Sequence, residues 1–571
     1  MKKLLVTILA MCMIFSLAAC GSSDNTSAVT EAPKTTEATE APTTAEFVDL
    51  NESVTSSGKL SGGMTAAEHP EITTEGKSQD TILTISQNVD IAGIDAFAAA
   101  QSGRNDIRYL IYDQLAIMAK PGGSIQEMAF QMAKTITEVD DTTLDIEIYD
   151  YIHDWAGNAV TADDVVWCYN KMAESGVSGK FSRLFGSMEK TGDYSVRLTL
   201  ASPTLGAAQY LLQFCPIVSK AGYESQTDGE HAQKPIGTGG YKITDYVSGG
   251  YCYLERVEDY WQTDASLCSY AYTGQAKQIK LIVQIESAQR GNALLTGQAD
   301  VATRISSTDI TLFRNEDGTP KDGYNVLAAP NSTTYYLPFN CAEGHPLSNI
   351  ELRKAVACAI DAKGVMAGTH GANGFLFTKE VANPMLADYN KEWLEEDYYD
   401  YNLDEAKKHL EASGMTDVKL VMMTSTEDNE KSYGIFVQQY LAQIGIEVEI
   451  KSYDAALITE YIYNPDLWDI RIDALGNSDY CADAWNLYTT QASGVSKFLI
   501  VDEKLDELVA AAGGISTHSA ETVEAVHDYA YEMCYYVPLG NQYVYSAASD
   551  KLEIWPLHPY NFLLFGGFIF D

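Results

Sequence analysis

Residues 417 to 450 restrict the fold of this chain more than any other stretch. DVKLVMM (417 to 423) reads as a short strand, and the run from about Ser432 to Ile444 reads as a helix stopped by Gly445. Ile446, Val448 and Ile450 then alternate as a second strand. A strand, a helix and a strand in that order predict a right-handed crossover on a mainly parallel sheet. Neighbouring segments agree with an α/β chain. In residues 350 to 366 Leu352, Val356 and Ile360 fall four apart, which predicts one helix with an apolar stripe. Leu403, Ala406 and Leu410 form another stripe, closed by Gly414. Earlier, residues 82 to 85, Leu144-Ile146-Ile148 and Ile279-Leu281-Val283-Ile285 read as strands. Thr161-Ala162-Asp163-Asp164 before VVWCYNKM predicts a capped helix start.

The chain opens with Lys2 and Lys3, an apolar run from Leu4 to Leu17, and Ala18-Ala19-Cys20-Gly21. A cationic start, a short apolar core and small residues before a cleavage point form an export signal, too short to span a membrane comfortably. Leu17-Ala18-Ala19-Cys20 resembles a bacterial lipobox, in which Cys20 takes a diacylglycerol and anchors the mature protein to the outer face of the cell membrane. Residues 20 to 78 are rich in Ser, Thr, Ala, Pro, Glu and Gly, a composition that predicts a disordered tether. About 58 such residues have an r.m.s. span of ~40 Å. The remaining body of roughly 490 residues is large enough for more than one core.

The formal net charge of -41 argues against nucleic acid and anionic lipid surfaces as partners. Ten cysteines include Cys12 in the export segment and Cys20. The other eight contain no CxxC pair, so neither a metal site nor a disulfide framework is expected, and Cys168 and Cys358 fall in apolar helical patterns as buried thiols. No cofactor is expected.

Several segments, in order, resemble the peptide- and nickel-binding solute receptors of ABC importers, solute-binding family 5. PIGTGGYKITDYVSGGYCYLERVEDYW (235 to 261) is similar to the family's P-[IV]-G-T-G-P-Y block and its N-x-x-Y-W ending, with Gly240 and Glu258 as departures. Its glycines Gly237, Gly239 and Gly240 suit unusual dihedrals in a tight turn between lobes, packed by Tyr260 and Trp261. HDWAGNAVTADDVVWCYNKM, ALLTGQADV, and the stretch carrying Asn340, Pro346, Leu352, Arg353, Ala355, Ala359 and Asp361 resemble further family blocks. In the first of these, Trp155-Ala156 expands the Asp-Gly turn by two residues.

The resemblance implies a two-lobed, type II periplasmic-binding-protein-like α/β fold with an extra subdomain on the first lobe. Lobe one would comprise 79–332 and 546–571, with the inserted subdomain at about 116–235, and lobe two 333–545. It also implies a monomeric receptor without catalysis that holds a peptide or related small solute between the lobes and hands it to a permease with its ATPase. Relatives anchor the ligand's ammonium on an aspartate in a G-W-x-x-D-Y-x-D-P segment. Here ALGNSDYCADAWNLY (474 to 488) offers Asp479-Tyr480 and Asp483, and either aspartate fits; Gly476-Asn477 replaces the tryptophan and no proline follows Asp483. Tyr335, Tyr336 and Asn340 lie where the first lobe is expected to cross into the second, and Trp485 offers a stacking face. Tyrosine, with 36 residues against 17 phenylalanines, suits a wet cleft.

A surface peptide sensor without transport would share all these features. An exported hydrolase finds no support, since G-x-S-x-G, H-E-x-x-H and G-x-x-x-x-G-K-[ST] are absent and GTHGANG (368 to 374) reads as a turn.

Overall fold

The computed structural model describes residues 77–570 apart from 89–93, 99–104, 120–121, 123, 373, 398, 477 and 490–495. The export segment, Cys20 and the tether to residue 76 lie outside the described residues. The expected strand, helix and strand are present. Lys419–Ser425 pairs in parallel with Glu447–Tyr453, and the helix Asp428–Ala442 packs on both. Gly445 makes the turn at φ 81°, where a side chain would be strained. Ile470–Arg471 adds a third parallel strand on the other side of Lys419–Ser425.

Parallel pairing is local rather than general. The large sheet has ten strands, and Thr81–Gln87 is parallel to Ala276–Val283 and Val301–Ile305, whereas the other pairs along it are antiparallel. Its organiser is the strand Tyr536–Ser549, 14 residues long, which pairs with Thr334–Pro338 and Phe375–Phe377 near its start and with Tyr324–Pro330 and Val301–Ile305 near its end. A separate antiparallel sheet of four strands, Ala133–Asp140, Thr143–Ile148, Ser195–Leu200 and Phe185–Gly192, falls inside residues 116–235.

Two main apolar cores result. The first runs from Leu83 to Ala329 and resumes at Tyr545, and the second runs from Tyr336 to Leu539. The chain passes between them at 331–333 and within Tyr536–Ser549, so two backbone crossings join the cores.

Local readings hold where the signal is local. Thr161 caps the helix Ala162–Ser175, its backbone N–H donating to Asp164 Oδ2 at 2.8 Å. Such a cap contributes about 1 kcal/mol. Cys168 and Cys358 are buried helical thiols, and the eight cysteines of the described residues are all free.

Two expectations need correction. The apolar stripe over 350 to 366 is two helices, Ile350–Ala359 and Ala362–His370. The chain turns extended at Ile360 and Asp361, and Asp361 then caps the second helix by accepting from the Gly364 N–H at 2.8 Å. The aspartate thus competes with helix continuation. Second, Gly237, Gly239 and Gly240 do not adopt positive φ, and they lie against the first core rather than between the cores. What they permit is close approach: a Cβ on Gly237 would lie 2.2 Å from the Ile111 carbonyl oxygen and one on Gly239 2.5 Å from that of Leu110. Trp155, in the expanded turn, donates its indole N–H to the Gly239 carbonyl at 2.8 Å and so ties two motifs together. Tyr260 and Trp261 both donate to Asp113 Oδ2 at 2.8 Å.

Candidate functional site

The two cores touch along a seam. Leu205 N–H donates to the Gly513 carbonyl at 2.9 Å and Ile515 N–H to that of Pro203 at 3.0 Å, a short backbone clasp at one place on it. Gly206, at φ 74°, starts the helix Ala207–Phe214 beneath the Tyr480 ring, and a Cβ there would come within 3.2 Å of that ring. The segment from Asp479 to Trp485 faces these elements. Its short helix Cys481–Trp485 begins where the Cys481 N–H donates to Asp388 Oδ1 at 2.9 Å.

Asp479 and Asp483 both point across the seam, but they meet different partners. Lys180, on the helix Gly179–Leu184, donates from Nζ to Asp483 Oδ2 at 2.5 Å. Burial works against the Lys180 ammonium, yet the Asp483 and Asp479 carboxylates outweigh it and raise the Lys180 pKa. Its Nζ also lies 4.4 Å from the centre of the Tyr210 ring.

Asp479 is 2% exposed, and its Oδ1 accepts from the Tyr560 hydroxyl at 2.9 Å. Its Oδ2 is buried with no hydrogen-bond partner. Burial pushes this carboxyl up to about 7, and Asp483 adds to the rise while Lys180 and Tyr560 oppose it.

The donor to Asp479 is itself oriented. Tyr560 N–H donates to His558 Nδ1 at 3.2 Å, so His558 carries its proton on Nε2 and donates to Gln213 Oε1 at 3.2 Å. Gln213 Nε2 in turn donates to the Tyr560 oxygen at 3.3 Å, which leaves the Tyr560 proton for Asp479. Burial lowers His558 to about 3 and keeps it neutral. This relay aims a hydroxyl from the first core at one oxygen of Asp479 and leaves the other bare. A bare, desolvated carboxylate oxygen binds a cation strongly, because charge-assisted hydrogen bonds gain as water leaves.

None of the remaining expected residues hydrogen-bonds that oxygen. Tyr480 is 9% exposed and packs edge-on against His518. Trp485 is buried among the second core beside Trp393. Tyr336 is fully buried, with its hydroxyl donating to Asp473, and Asn340 spends its amide on the Pro465 and Trp468 carbonyls at 2.9 and 2.8 Å. Tyr335 is partly buried, edge-on to Tyr433.

Reading the sequence missed Lys180, Tyr560, Gln213, His558 and Asp388. None sits in a motif, and Lys180 is 303 residues from its partner. Among the described residues no group of His, Cys, Asp and Glu is arranged to hold a metal, and no helix is long and apolar enough to cross a membrane.

The chain is 23% identical over 475 residues to the oligopeptide-binding protein AppA of Bacillus subtilis, covering 75% of this chain and 81% of that one. It is 24% identical over 320 residues to SapA, a probable ABC transporter periplasmic-binding protein of Escherichia coli, and there it spans about half of the relative's length, 54%. Among solved structures, a putative peptide binding protein AppA from Clostridium difficile superposes with a TM-score of 0.73 at 17% identity, over 86% of this chain and all of that one. The Bacillus subtilis AppA structure, in complex with a nonapeptide, gives 0.67 at 18% identity over 86% of this chain and 99% of that one. The α/β fold is that of the type II periplasmic binding proteins. The model of the bacterial extracellular solute-binding proteins, family 5, matches residues 127–497, and this chain belongs to that family.

Proposed function

We propose that this protein is the extracytoplasmic receptor of an ABC importer, which captures an oligopeptide at the seam, closes over it, and delivers it to a membrane permease and its ATPase. The two cores act as lobes, 79–332 with 546–571 and 333–545, that rotate about the paired crossings at 331–333 and Tyr536–Ser549. The observation that carries this reading is Asp479: a buried carboxylate with one oxygen held by Tyr560 and the other unpartnered suits the ammonium of a free peptide N-terminus. Binding rather than catalysis is the whole activity. A lipid on Cys20 and the tether to residue 78 hold the body at the outer face of the membrane.

The test uses the chain freed of its export segment, unfolded and refolded to strip solute, and melted with pooled di- to hexapeptides, sugars or nickel. Native-state binding adds RT ln(1 + [L]/Kd), about 2.7 kcal/mol at a hundredfold excess over Kd. A peptide shift that disappears with N-acetylated peptides supports the reading. A shift with sugars or nickel alone rejects it. Cys20→Ser is expected to release the protein into the medium, and retention on the cells would reject the anchor.

A further inference from the structure

At the seam the Asp479 and Asp483 carboxylates share the Lys180 ammonium as a neighbour. Lys180 is not a loose surface side chain. Its helix is anchored by the buried Phe181, and Ser178, which caps it, bonds the Tyr210 hydroxyl at 2.9 Å. The Lys180 stem is thereby held beside the Tyr210 ring with Nζ on Asp483. Asp483 is therefore paired through Oδ2 from within the chain. Asp479 alone keeps a buried, unpartnered oxygen.

A second candidate elsewhere lacks this feature. In a cavity of 310 Å³ lined by Asp361, Lys363, Lys379 and Asp400, the buried Lys379 is already paired with Asp400 at 3.1 Å.

We propose that Lys180 is a specificity-determining residue that occupies Asp483 as an internal ammonium and restricts the site to ligands bringing a single cationic group to Asp479. The proposal rests on the peptide-receptor reading. A peptide whose first residue has a neutral side chain brings one ammonium and matches the one open carboxylate. A peptide beginning with lysine or arginine brings a second cation toward an acidic pair that Lys180 has half neutralised, and meets like-charge repulsion. Loss of Lys180 would expose Asp483 to that second cation.

The experiment is calorimetric titration of the refolded protein with Ala-Ala-Ala and Lys-Ala-Ala, in the wild type, Lys180→Met, which keeps the stem beside Tyr210, and Lys180→Arg, which keeps the charge. The wild type is expected to favour Ala-Ala-Ala roughly tenfold. Lys180→Met should lose or reverse that ratio and Lys180→Arg should retain it. The ratio is independent of overall stability, and the wild-type ratio alone decides if Lys180→Met fails to fold. Binding of both peptides with no preference in the wild type, or with an unchanged ratio in a folded Lys180→Met, overturns the role of Lys180 while sparing the receptor. Binding of neither peptide by the wild type overturns this proposal together with the peptide reading.

Discussion

Two buried acid–cation clusters in this molecule look alike in composition and differ in completeness. In the second core His527 is 1% exposed, with Nδ1 on Glu380 Oε2 at 2.9 Å and Nε2 on Glu396 Oε2 at 3.2 Å. Its ring stacks on Trp393 at 4.3 Å, and the other oxygen of Glu380 accepts from the Tyr536 hydroxyl and the Val381 N–H. Each ring nitrogen and each oxygen of Glu380 has a partner. At the seam, by contrast, Asp479 is as deeply buried and has one oxygen with none. A closed network stabilises a fold. An open one costs stability, and it marks where a ligand can supply the missing partner.

That contrast can be broken by mutation. The largest effect on stability is expected for Glu380→Ala, which strips His527 and the Tyr536 hydroxyl of a buried partner and should cost about 3 kcal/mol in urea unfolding. It should leave ligand affinity unchanged, and a matching loss of affinity would erase the distinction between the clusters. Asp479→Ala should do the opposite, weakening peptide binding roughly a hundredfold, about 2.7 kcal/mol, in a protein that still folds cooperatively.

Titration sharpens the comparison. Asp479 sits at about 7 in the fold against an ordinary value of 3.8, so the folded chain binds the proton more readily than the unfolded one. Its contribution to stability is full below the unfolded value and is lost as pH rises through about 7. Asp479→Asn should therefore raise the melting temperature at pH 8 and leave it near wild type at pH 4. A cationic ligand needs the carboxylate, so affinity should fall roughly tenfold per pH unit below that pKa. Flat affinity from pH 5 to 8 would reject Asp479 as the anchor.

Although burial opposes the charge on His527, bonding to Glu380 and Glu396 raises its pKa above 6.5. Its stabilising contribution is present below the unfolded value and is lost as pH rises through the folded one. His527→Gln should narrow the difference in melting temperature between pH 6 and pH 9; an unchanged difference would show that the imidazolium is not the titrating group. The smallest effect belongs to Thr161→Ala, which touches neither cluster and should cost about 1 kcal/mol of stability by loss of the Thr161 hydroxyl bond to Asp164, with binding intact.

Much of the scaffold was legible because its causes are local. Thr161 with Asp164 three residues on, the alternation of Ile446, Val448 and Ile450, and the stop at Gly445 each involve groups within a turn or two of one another. The misreadings also have physical reasons. A glycine is demanded both by positive φ and by a backbone passing too close for a Cβ, and the letter at 237, 239 or 240 does not say which. Ile360 continues the apolar spacing, but the Asp361 carboxylate offers the backbone an alternative bond and ends the helix.

By itself the sequence determined the strand–helix–strand unit at 417 to 450, several other strands and helices with their local caps and stops, the family of the chain, and a short segment containing both aspartates. Tertiary structure alone decided what each of those aspartates does. Asp483 and Asp479 are four residues apart in the same motif, yet one meets an ammonium 303 residues away and the other a hydroxyl 81 residues away. Charge pairing and desolvation depend on distances of a few ångströms in space, and no spacing along the chain encodes them.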